Sequence, residues 1–178
     1  SDLRAMLLFM LYKLVANGEF VSEFSSEKIC YFLQRFGAKE HFKLDYKPNF
    51  YGPYSGKVKY VINYLNGSYI MGYSSMDKKP FETLDLVSDG FEKVEGYILS
   101  KPELVEIVNR TELFLDGFYS EFALELLSTV DYISLNKDTF DLEIIKSELE
   151  GWSERKRTLF SNDRFLNISI NHLKEHFG

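Results

Sequence analysis

His172 and His176 stand four residues apart, a spacing that puts two imidazoles on one helical face and can hold a metal ion. Neither a cysteine nor an acidic residue is taken to complete a typical ligand set beside them, so the pair reads as a solvated helix end and no metal is expected. Acid–base catalysis would need two carboxylates held at a defined separation in a cleft. Glu121, Glu125 and Asp131 are candidates by type, but spacing alone gives them no cleft, and solvated helix faces are expected. Cys30 lies within the apolar spacing Ile29, Phe32, Leu33, Phe36, with only Lys28 nearby to lower its pKa, so an inert core thiol is expected. The glycines are scattered singly at turns and helix ends and form no phosphate-cradling loop. These residue types predict no catalytic residue, no cofactor and no enzyme.

Two clusters go beyond core expectation. Tyr51, Tyr54, Tyr60, Tyr64, Tyr69 and Tyr73 crowd around a Gly-Pro turn, and tyrosine is favoured at interfaces because its apolar body ends in a polar tip. Trp152 is followed by Arg155, Lys156 and Arg157, after an acidic stretch containing Asp141, Glu143, Glu148 and Glu150. Tyr51, Tyr54, Tyr69, Tyr73, Arg155 and Lys156 are therefore the partner-binding candidates. Packing around the turn and ion pairs within a solvated face would account for the same residues.

The elements that must position these residues follow from a chain of 178 residues, the size of one domain, with 45% hydrophobic and 16% aromatic residues. Twenty-seven acidic against 21 basic residues give a net charge of −6, which argues against a general nucleic-acid binder. A lone cysteine fits a reducing, cytoplasmic setting. The apolar run Met6 to Met10 is far short of the roughly 20 residues that cross a bilayer, so neither membrane anchor nor signal peptide is expected.

Leu3, Met6, Leu7, Met10, Leu11 and Leu14 trace one helical stripe, stopped by Asn17-Gly18. A second helix runs from a cap at Ser25 to Gly37. His41 to Tyr46 alternates like a short strand, and a third helix is predicted to start at Gly52-Pro53 and continue through Val58, Ile62 and Leu65. Tyr69–Tyr73 and Phe81–Val87 read as an antiparallel pair around a mobile loop, Ser74 to Pro80. The remainder reads as helical: Phe91 to Ile98, a capping box at Ser100 to Glu103 opening a helix to Leu115, a buried helix over Phe118–Ile133, and stripes at Leu142–Trp152 and Leu166–Phe177. The expectation is one mainly α (α+β) domain over 1–178, helices plus a small antiparallel sheet or hairpin in 1–88, winged-helix-like, and an all-helical half in 89–178.

Lys28-Ile-Cys-Tyr-Phe-Leu-Gln34, Tyr51-Gly-Pro-Tyr-Ser55, Leu65-Asn-Gly-Ser-Tyr-Ile-Met-Gly-Tyr73 and Lys79-Pro80 resemble, in this order, the C-terminal domain of DarG-type antitoxins. Gly117-Phe118, Leu124-Glu-Leu-Leu-Ser-Thr-Val130, and Trp152 with Arg155-Lys156 and Phe160 extend the resemblance to about residues 3–177. Departures occur at Gly67-Ser68-Tyr69, where the family usually has Gly-His-Tyr, and at Asp131, often histidine. The resemblance implies an antitoxin module that neutralises a DarT-type DNA ADP-ribosyltransferase by direct contact, with an N-terminal Appr-1''-p processing macrodomain expected in the same polypeptide. Residues around the second helix and the Gly-Pro-Tyr segment are loosely similar to the Panacea domain of SocA-like antitoxins, which implies the same class of function with another toxin. Two other readings stand beside it. One is a DNA-binding autoregulator using Lys57, Lys59, Lys78 and Lys79; the other is an enzyme with two carboxylates converging in a deep pocket.

Overall fold

In the computed structural model, which describes residues 1–73, 80–160 and 162–178, with Leu159 by its backbone alone, the chain is mainly helical with two small antiparallel ribbons, as the apolar spacing predicts. The expected loop residues 74–79, with Lys78 and Lys79, lie outside the described residues.

The Ser1 hydroxyl accepts from the Arg4 amide to open α1 (Asp2–Ala16), and the chain leaves that helix through Asn17 and Gly18. α2 (Glu23–Arg35) begins before the predicted cap. Ser22 is the N-cap and Ser25 its reciprocal partner, each hydroxyl accepting the other residue's amide at 3.0 Å. After α2 the chain turns at Gly37, whose φ of +113° needs a residue without a Cβ, as expected.

The predicted strand over His41–Tyr46 is absent; pairing starts at β1 (Lys47–Asn49) against β2 (Gly52–Tyr54). Pro48 faces Pro53. Neither has an N–H, so they occupy a pair that exchanges no ladder bonds, and the flanking pairs carry the hydrogen bonds. Gly52-Pro53 is thus strand, and α3 (Val58–Leu65) starts later than predicted. β3 (Ile70–Met71) pairs antiparallel with β4 (Asp85–Leu86). Among the described residues the strands form two separate two-stranded ribbons, where one small sheet or hairpin was expected.

α4 (Phe91–Leu99) and α5 (Pro102–Leu115) are separated by Ser100 and Lys101. Ser100 is no cap: its hydroxyl donates to Tyr97 O, and Lys101 Nζ donates to Asp2 at 2.9 Å. Asp2 also accepts from Tyr97, and these bonds hold its pKa down near 2. α6 (Glu121–Lys137), α7 (Leu142–Trp152), α8 (Glu154–Leu159) and α9 (Asp163–Phe177) complete the chain; α8 was not foreseen.

The near-uniform apolarity of α6 has the expected result: it lies centrally, packed against α2, α7, α9 and β2. One continuous apolar core runs from Met6, Leu7 and Met10 of α1 through Phe32, Phe114 and Leu127 to Leu173 of α9. Among the described residues, no helix is long and apolar enough to cross a membrane.

Candidate functional site

The central helix carries two buried carboxylates, Glu125 and Asp131, where solvated faces were expected. A charge removed from water is tolerated only when partners replace its hydration. Glu125 accepts from Lys156 Nζ at 2.6 Å and from Arg155 Nη2 at 2.7 Å. Ser153 supplies these partners by capping α8, its hydroxyl accepting from the Lys156 amide. Asp131 accepts from Tyr31 at 2.6 Å and, two-pronged, from Arg35 Nε and Nη2 at 2.8 and 3.1 Å.

Beside Glu125, the β1–β2 hairpin lies against α2 and α6. Gly52 has φ +108°, and a Cβ there would sit 2.8 Å from Thr129 Oγ1 and 3.2 Å from Lys28 Nζ. The motif therefore needs glycine for two reasons, backbone angle and space. Lys28 Nζ donates to Pro53 O at 2.8 Å, and burial pushes its pKa down to about 7. Burial raises the pKa of Glu27, although Ser55 Oγ (2.7 Å), Ser55 N–H and Gly56 N–H all donate to its carboxylate. Burial likewise lowers that of Lys156, opposed by Glu125. Thr129 Oγ1 is buried without a hydrogen-bond partner.

A cavity of about 220 Å³ opens here, lined among others by Glu23, Phe24, Glu27, Lys28, Tyr51 and Tyr54. At its edge the Tyr51 ring meets Phe81 edge-on at 4.8 Å, and the Arg155 guanidinium lies 4.8 Å from the Tyr51 centroid. Trp152 Nε1 donates to Asn49 O at 2.7 Å, tying the end of α7 to the hairpin, and Phe50 at the hairpin tip is 53% exposed.

The structure thus gathers Tyr51, Tyr54, Arg155 and Lys156. Lys156 is fully buried and serves Glu125 from within, so it offers no outer surface. Tyr69 and Tyr73 lie elsewhere: Tyr69 packs on Gly90, and Tyr73 is buried with its backbone bonded to the Asn66 side chain. Lys59 lines the cavity and Lys57 is exposed ahead of α3. Cys30 is fully buried in the core, as expected, with burial and then Glu27 pushing its pKa up. Sequence reading missed Glu27, Lys28 and Arg35, whose side chains lie on a helix that is buried almost throughout. A visible signal for Glu125 and Asp131 is that each is flanked by apolar residues within a largely apolar helix. The histidine pair also needs correction, because Glu175 does stand with it.

No family model matches the chain. Over 155 residues, 87% of the chain, it is 28% identical to the DNA ADP-ribosyl glycohydrolase of Thermus aquaticus. Proteins of the same name from Mycobacterium tuberculosis and Mycobacterium bovis are 21% identical over 149 residues, 81% of the chain. In each case the chain spans 42% of the relative's length. These similarities are consistent with a DarG-related chain, and DarG belongs to DarT/DarG toxin–antitoxin systems. They also correct one expectation. The relatives carry the name of an enzyme, which points to an enzyme where none was expected.

Proposed function

We propose that the chain is the C-terminal domain of a DarG-type protein and restrains a DarT-type DNA ADP-ribosyltransferase by direct contact, using the face formed by the β1–β2 hairpin and α8. For the whole protein we propose the activity that the relatives' name states. One observation carries the contact reading: motifs far apart in the chain converge on a single place. Tyr51-Gly-Pro-Tyr-Ser55 meets Thr129 of the Leu124–Val130 motif, Trp152 bonds the hairpin, and Arg155 bridges Tyr51 and Glu125. An exposed Phe50 beside half-buried Tyr51, Trp152 and Arg155, on a buried ion-pair base, has the character of an interface anchor. The net charge of −6 suits a partner whose DNA groove is basic.

The test is a calorimetric titration of the chain with its cognate toxin, together with toxin activity on thymidine-containing single-stranded DNA. Expected are tight binding, lost activity, and at least about tenfold weaker binding for the exposed variant Phe50→Ala. Absence of binding by the unaltered chain sinks the proposal, and unchanged affinity in Phe50→Ala moves the contact away from this face.

A further inference from the structure

Far from the hairpin, His172, Glu175 and His176 each offer one ligand atom near the end of α9, all within 4.8 Å of one another. His172 is held in place. Its ring stacks on Phe114 (centroids 4.5 Å, 27°) and on Phe118 (4.3 Å, 19°), and its Nε2 lies 2.7 Å from Phe114 O. A carbonyl oxygen only accepts, so Nε2 carries the hydrogen and Nδ1 keeps its lone pair. An imidazole fixed through one nitrogen on a backbone carbonyl is the arrangement that orients metal-binding histidines.

Glu175 and His176 are exposed, so their side chains can turn. Ligand atoms around a tetrahedral zinc sit roughly 3.3 Å apart, so the exposed side chains must close in by roughly 1.5 Å to complete the set. The negative end of the helix dipole adds attraction for a cation in this last turn. The two other soft ligands are engaged elsewhere: Cys30 is fully buried, and His41 Nδ1 lies 3.1 Å from Asp2.

We propose that His172, Glu175 and His176 form a three-ligand site for a zinc-class divalent cation, water completing its shell, on the last turns of α9. The site is independent of the hairpin face and of the toxin-binding reading.

The test titrates the full chain with zinc chloride by calorimetry in a non-chelating buffer at neutral pH, and repeats the titration with His176→Ala, Glu175→Gln and His41→Ala. Expected are one equivalent of zinc bound and a rise in the melting temperature. His176→Ala should weaken binding at least about tenfold, Glu175→Gln somewhat less, and His41→Ala not at all. Cobalt(II) in place of zinc should show the visible absorption of a four-coordinate site, lost in His176→Ala. No binding by the unaltered chain, affinity unchanged in His176→Ala, or loss in His41→Ala instead would overturn the assignment.

Discussion

Glu125 and Asp131 share one helix, and both are buried and ion-paired, yet their surroundings differ in two ways. Glu125 draws its partners from α8, about 30 residues on, and one of them, Lys156, is fully enclosed. Asp131 draws on α2, about 100 residues back, and Arg35 keeps 23% of its side chain exposed. Each end has one arginine, Arg155 or Arg35, but the first adds two lysines, Lys28 and Lys156, whose pKa burial lowers, whereas the cation bonded at the second is the arginine, which does not titrate in proteins. The Glu125 end is therefore conditional on pairing and pH, while the Asp131 end acts as a fixed clamp.

Single substitutions can break this contrast. Glu125→Gln strands an enclosed ammonium and should cost about 3–5 kcal/mol in urea unfolding at pH 7. Asp131→Asn leaves a guanidinium that can turn to water, and should cost about 2–3 kcal/mol. Equal losses would erase the difference drawn between the two ends. Gly52→Ala combines a left-handed backbone with a Cβ 2.8 Å from Thr129 Oγ1, and a loss of about 2–3 kcal/mol is expected by the same assay.

A pH series sharpens the comparison further. An unfolded lysine keeps its proton to about pH 10.4, but folded Lys28 releases it near pH 7, so between these values the unfolded chain binds more protons. Stability should therefore rise with pH, by about 3 kcal/mol from pH 7 to about 9.5, and Lys28→Met should flatten that rise. A slope that survives in Lys28→Met would place the titrating group elsewhere. The smallest effect is expected for Arg155→Lys, about 1 kcal/mol, because Lys156 still holds Glu125 while the two-pronged bond and the Tyr51 contact are lost.

Helical periodicity made the architecture legible. The stripe Leu166–Phe177 marks α9, which buries one face, and the apolar spacing Leu3–Leu14 marks α1, although that helix is buried on every side from Ala5 to Leu11; the apolar run in α6 marks it as central. Short pairings were less legible. Pro48 and Pro53 look like breakers until it is clear that they face each other across a pair needing no N–H, and from sequence Gly52-Pro53 reads as a helix start. The candidate site was half visible. Tyr51, Tyr54 and Arg155 stood out by type, but Lys28 and Glu27 look like ordinary surface charges on a helix, and only packing from α6 and the hairpin puts them inside. Burial of a charge is a property of its partners, which the local sequence does not contain.

The bond between Tyr31 and Asp131 spans 100 positions, and this sets an order of events as the chain leaves the ribosome. At about 5–20 residues per second, α2 emerges roughly 5–20 s before the carboxylate that anchors it. Through that interval Tyr31 and Arg35 lack Asp131, and the faces of α2 destined for α6 stand uncovered. A nascent chain stalled before α6 would present those faces to chaperones and proteases.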